Sequence, residues 1–167
     1  MKTLQDLFED GLRDIYYAEK KLVGALSEMA EAAAAEQVTK AFQLHREQTE
    51  AQVKRLEQVF DSLGQKASGK QCHAIEGILA EGNEVMKEYA GAPALDAGLI
   101  GAAQAVEHYE MARYGTLVTW AAQLGLTEEA DLLDETLQEE KLTDDLLTQL
   151  AQEIANPIAG DAEAPGA

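Results

Sequence analysis

Proline occurs in this 167-residue chain only at Pro93, Pro157 and Pro165, so residues 1–92 and 94–156 run without a proline break. Inside a helix, proline removes a backbone hydrogen bond and clashes with the preceding turn. Stretches this long without it are free to form long helices. Ala, Glu, Gln, Leu and Lys dominate both, β-branched runs are absent, and alternation of period two persists for only a few residues. The chain is predicted to be all-α.

Apolar residues recur at helical spacing. Phe8, Leu12, Ile15, Glu19, Leu22, Leu26 and Met29 follow steps of four and three, and a second series runs Val38, Phe42, His45, Thr49, Gln52, Leu56, Val59, Leu63. Continuing the first would reach Glu36 and Lys40 instead. The slip of two residues turns the stripe by about 200° on a helix of 3.6 residues per turn. The chain must therefore turn near Ala33–Glu36, although no Gly or Pro marks the place. Gly64–Lys70 reads as a loop, residues 71–89 as a shorter helix, and AGAPA at 90–94 as another break. A third series, Ile100, Ala103, Glu107, Glu110, Tyr114, Leu117, Ala121, Leu124, ends at Gly125 in the manner of a C-cap glycine. Thr127, as N-cap ahead of Glu128 and Glu129, opens the fourth: Ala130, Leu133, Leu137, Glu140, Asp144, Leu147, Ala151, Ile154. Residues 156–167 are small and polar, and are predicted to be disordered.

Two short connections and one long crossover, about residues 64–93 with a short extra helix, describe a ferritin-like four-helix bundle over residues 1–155. An up-down bundle with an elaborate middle loop is the alternative. No repeat at a fixed period of 20–50 residues supports a solenoid.

Charge narrows the function. Thirteen Lys and Arg against 31 Asp and Glu leave a formal net charge of −18, which argues against nucleic acid and anionic membrane as partners. No run of about 18 apolar residues could span a bilayer. The N-terminus, MKTLQDLFEDGLRD, lacks a signal-peptide core. Cys72 is the single cysteine, so no internal disulfide forms. A cytoplasmic location is expected.

Each stripe carries polar residues near its middle: Glu19 on the first helix, His45, Thr49 and Gln52 on the second, Glu107 and Glu110 on the third, Glu140 and Asp144 on the fourth. Glu19 and Gln52 lie about 16 residues, or roughly 24 Å, from the first turn, and Glu110 with Glu140 and Asp144 about as far from the second. In either bundle topology these residues meet near mid-height. Five carboxylates facing one core are untenable as bare anions. They are protonated, paired with cations, or bound to metal, and no Lys or Arg occupies the stripe positions. Two divalent cations, iron or manganese, would bring a charge of −5 to −1 and suit carboxylate bridges. The competing reading is a row of glutamates facing a solvated groove. His45 reads equally as a ligand or as a satisfied core histidine. Glu47 and Glu50 fall on a solvated face, His108 points away from the seam, and Cys72 with His73 is a weak metal pair. Tyr16, Tyr109 and Tyr114 read as packing residues, although Tyr114 lies one turn from Glu110.

The segments DIYYAEKKL at 14–22, HREQTEAQVKRLEQVFDSLG at 45–64, VEHYEMARYGTL at 107–118 and ETLQEEKLTDDLLTQLA at 135–151 closely resemble YciF-like proteins. These are bacterial stress-associated members of the ferritin-like superfamily. The resemblance spans about residues 1–155. It implies a four-helix bundle with a crossover, a homodimer, and a dinuclear iron site like that of rubrerythrin. By position it makes Glu19 the helix-one ligand, Glu107 and Glu110 the helix-three acids, and Glu140 and Asp144 the helix-four ligands. Better-known di-iron proteins use Glu-x-x-His on helices two and four. This chain has Gln52 and Asp144 near those histidine positions, and Gln48 where similar sequences often carry Glu. Two functions follow as expectations. One is a redox site acting on dioxygen or peroxide as ferroxidase or scavenger; the other is a non-enzymatic stress or interaction protein with a structural or vestigial metal site. No catalytic residue is assigned.

Overall fold

The computed structural model describes residues 1–161. Its long helices are α1 (Leu4–Ala32), α2 (Glu36–Ser62), α4 (Leu95–Gln123) and α5 (Thr127–Leu150), with a short α3 (His73–Glu88) in the crossover. No strand occurs among the described residues. None of the helices is long and apolar enough to cross a membrane.

Local chemistry sets most of the boundaries. Thr3 and Asp6 form a reciprocal capping box at the start of α1, the Asp6 carboxylate accepting from the Thr3 N–H at 2.7 Å. Gly125 closes α4 with φ near 76°, and the Leu126 N–H donates back to the Ala121 carbonyl at 2.9 Å. That is a left-handed C-cap, open to glycine at no steric cost. At α5 the expectation is corrected: Leu126 is the N-cap and Thr127 the first helical residue, with no side-chain cap bond.

The turn without a turn residue has a distant cause. α2 begins at Ala35–Glu36 with no side-chain cap of its own. Instead the buried Asp96, in the first turn of α4, accepts from the Ala34 and Ala35 N–H groups at 2.8 and 2.7 Å. This contact also decides the topology. The start of α4 sits beside the start of α2, so the two run the same way and the crossover returns along the bundle between them. The up-down alternative is excluded, and the architecture is ferritin-like.

The predicted stripes of α1, α2 and α4 are buried from Phe8 to Met29, Val38 to Val59, and Ile100 to Ala121. The α5 stripe differs. Thr136 and Thr143 take the buried positions expected for Leu137 and Asp144, both of which are only half-buried. The C-terminal expectation is corrected too. A π-helical turn over Ala151–Ala155 leads into α6 (Asn156–Asp161), so the tail is helical to Asp161 rather than disordered from 156. Pro157 lacks the N–H that an α-turn would use, and the wider turn, with the Asn156 N–H bonded to the Ala151 carbonyl, accommodates it. Residues 162–167 lie outside the described residues.

Candidate metal centre

The polar residues of α1, α2, α4 and α5 meet where the stripes meet. Glu19, His45, Gln52, Glu107, Glu110 and Glu140 are each at most 2% exposed. His45, Glu107, Glu110 and Glu140 each present one ligand atom within 4.8 Å of the others, from α2, α4 and α5. His45 Nε2 lies 3.1 Å from Glu107 Oε1, yet neither atom makes a hydrogen bond. Glu19 reaches in from α1: one carboxylate oxygen accepts from the Tyr114 hydroxyl, and the other, Oε2, has no partner.

Burial dominates the electrostatics. It pushes the carboxyls of Glu19, Glu107 and Glu110 well above their ordinary range, and neighbouring carboxylates add to the rise. Glu140 is pushed up to about 7, again chiefly by burial, with the neighbouring Glu107 carboxyl and the Arg55 charge pulling the other way. Burial lowers His45 to about 4, so at neutral pH it is a neutral imidazole with one ring nitrogen free to give its lone pair. Tyr114 is raised by burial and by the Glu19 charge, which keeps it a phenol that donates.

Nine buried side-chain atoms of Glu19, His45, Gln52, Glu107, Glu110 and Glu140 have no hydrogen-bond partner. Native proteins leave few such atoms, each costing about 1–3 kcal/mol. Seven are carboxyl or amide oxygens and two are the ring nitrogens of His45, one of which carries a proton while the other offers a lone pair. Once ionised, the four carboxylates would carry a charge of −4, which two divalent cations would cancel. On donor type, burial and charge, the residues fit a pair of divalent ions.

Asp144 does not join this group. Its side chain is 19% exposed at the α4/α5 rim, where Oδ2 lies 3.4 Å from His108 Nε2 and Oδ1 accepts from Gln104 at 3.4 Å. The reason is helix register: Thr143, three residues after Glu140, faces inward, and a residue four along turns toward the rim. Gln52 is buried, but its amide N–H₂ donates to Glu139 at 3.1 Å, leaving only Oε1 free. His73 is 88% exposed whereas Cys72 is buried, so that pair does not converge on an ion. Glu47 and Glu50 are exposed, as expected of a solvated face. Tyr109 is more than packing: its hydroxyl donates to Asp14 at 2.9 Å and lies 3.0 Å from Cys72 Sγ.

Sequence reasoning missed Arg55. Its guanidinium bonds Glu139 through both nitrogens at 2.9 Å, Thr136 at 2.7 Å and Glu135 at 2.7 Å. This cluster ties α2 to α5 beside the buried glutamates and lowers the Glu140 and Glu19 carboxyls through its charge. Its spacing three residues after Gln52 could have signalled it. Counting cations only on the stripe, rather than along its edge, hid it.

Crossover topology and a mid-bundle layer of carboxylates and imidazole define the chain as a ferritin-like helical bundle. It belongs to the family described as "Domain of unknown function (DUF892)", which it matches over residues 3–159. It is 48% identical over 160 residues to Protein YciF of Escherichia coli K12, covering 95% of this chain and 96% of that one. Among solved structures it is similar to the E. coli stress protein YciF, at 47% identity and a TM-score of 0.88, over 93% of this chain and 99% of that one. It is also similar to YcfI of Rhodopseudomonas palustris, provisionally described as a structural protein (46% identity, TM-score 0.86, 88% and 94% covered). A Xanthomonas campestris protein shares the fold at 21% identity, with a TM-score of 0.76 over 95% of this chain and 97% of that one.

Proposed function

We propose that the buried cluster is a dinuclear metal centre for iron, or manganese, and that the protein serves a stress response by oxidising ferrous iron with dioxygen or peroxide. One observation carries this reading: nine unpartnered polar atoms, seven of them oxygens, converge in the buried interior. His45, Glu107, Glu110 and Glu140 would hold the ions, joined by Glu19 from α1, whose Oε2 has no other partner. Bound there, the metal pair would supply the redox chemistry. Tyr114 fixes the Glu19 carboxylate by donating to its other oxygen. Arg55 and Glu139 anchor the Gln52 amide, aiming its carbonyl oxygen. Neutral His45 supplies the lone nitrogen donor.

Anaerobic titration of metal-free protein with Fe(II), followed by oxygen or peroxide, tests the proposal. It expects about two irons per chain and a near-ultraviolet absorption change on adding oxidant; a flat response with no bound iron rejects it.

A second reading has specific support. The second helix carries Gln48 where similar sequences often have Glu, and Gln52 near a histidine position of di-iron bundles, and YcfI is described as structural. Here the bound metal only stabilises the bundle. A melting temperature raised by divalent ions, with no response to oxidant, would favour it.

A further inference from the structure

The half-buried Asp144 has no Lys or Arg within 4 Å among the described residues; its chargeable partner is His108, 68% exposed. The pair stands directly outside the cluster. His108 follows Glu107 in α4, and Asp144 lies one turn past Glu140 on α5. Glu107 feels the Asp144 charge, and both of its own oxygens are fully buried and unpartnered. Gln104 steadies Asp144 from the next turn and donates to Thr148 at 2.9 Å. Lys141, the nearest cation on α5, is turned back to Gln138 at 3.4 Å.

The other seams are guarded by cations. Arg55 closes the α2/α5 seam, 13% exposed and bound to three acceptors. Lys20 and Lys54 line the α1/α2 groove beside Glu50 and Glu57, and Lys21 the α1/α3 groove beside Glu28 and Glu76, so the carboxylates there have cations near them. Arg113 covers the Tyr109 ring on α4 and approaches Asp14 of α1 at 3.6 Å. At the α4/α5 rim, by contrast, a divalent cation meets a carboxylate with no Lys or Arg to displace.

We propose that Asp144 and His108 form an outer cation site that strips water from divalent ions and passes them inward to Glu107 and Glu140. This rests on the metal-centre reading above. A hydrated ion sheds its waters one at a time, and each lost water must be replaced by a donor. A carboxylate and an imidazole at the rim supply the first two replacements. The buried oxygens of Glu107 then supply the next, so the ion never sits bare in the core.

Co(II) uptake by the metal-free full chain, followed by stopped-flow absorption at neutral pH, separates the possibilities. Asp144→Asn and His108→Ala are compared with Asp145→Asn, an exposed neighbour that makes the same change in net charge as the first. His108→Ala alters only an exposed side chain and keeps the test alive should Asp144→Asn misfold. The outer site predicts loading slowed about tenfold in the first two variants, with an unchanged number of ions bound at the end point and Asp145→Asn loading at the original rate. Unchanged rates in both variants overturn it, as does equal slowing by Asp145→Asn, which would assign the effect to the overall field. An end point lowered by one ion would make Asp144 a ligand of the cluster itself, and also overturns it. If the unaltered chain takes up no Co(II), the metal-centre reading fails and the outer site with it.

Discussion

At the scale of single residues, the glutamates of the cluster work against the fold unless something neutralises them. Glu107 is 0% exposed, with both oxygens unpartnered. Replacing it by an uncharged isostere removes the cost of burying charge while discarding a ligand. Glu107→Gln is therefore expected to stabilise the metal-free protein at mildly alkaline pH by about 1–3 kcal/mol and to weaken metal binding at least tenfold. Denaturant melts and metal titration of one preparation check both halves; a variant that loses stability without metal contradicts the account. Proton linkage gives a second expectation. Burial raises Glu19, Glu107, Glu110 and Glu140 above 4.5, Glu140 to about 7, so the folded metal-free chain keeps protons that the unfolded chain releases. Its stability should fall as pH rises from about 4.5 through 7 and beyond. His45 opposes this: lowered from 6.5 to about 4, it costs stability as pH falls between those values. Four carboxyls outweigh one imidazole, so the melting temperature of chelator-treated protein should be higher near pH 5 than near pH 8. Saturating divalent metal should flatten the slope between those two conditions; an identical slope with and without metal would separate the acids from any ion.

At the scale of elements, the least obvious dependence is that of α2 on α4. Asp96 satisfies two N–H groups at a helix start that has no cap of its own. Asp96→Ala is expected to cost about 1–3 kcal/mol, since it strips the acceptors from two N–H donors at the helix start and leaves the partly buried turn uncapped. Asp96→Asn, keeping one acceptor, should recover part of the loss. Chemical denaturation of the two variants checks the order; equal stability to the parent would mean that solvent caps the turn as well as Asp96 does. α5 teaches a different lesson. Its sequence fits two stripes one residue apart; the one through Thr136 and Thr143 is buried, and it places the Thr136 hydroxyl where it accepts from Arg55 at 2.7 Å. Methyl-bearing threonines serve that interior as small apolar residues. Counting hydrophobes alone could not see them.

For the whole molecule, a net charge of −18 coexists with exposed apolar side chains at Leu142, Leu146 and Ile158 toward the C-terminal half. We propose that the chain is a homodimer. Light scattering at near-physiological salt should return twice the 18.1 kDa chain mass, and a monomeric value across a hundredfold range of concentration would refute it. Helix content, the bend between α1 and α2, and the residues of the mid-bundle layer were legible in the sequence. All three follow from periodicity, a local property set by 3.6 residues per turn. What lay beyond it needed neighbours distant in the chain. Asp96 crosses about sixty residues to cap α2 and thereby orients α4. Arg55 reaches more than eighty residues to Glu139. A rotation of one position along α5 sends Asp144 to the rim and keeps Glu140 inside. Periodicity tells which face of a helix is buried, to within about one residue. Only packing between helices decides which side chain on that face meets which, because that choice depends on shapes and charges brought together from far apart.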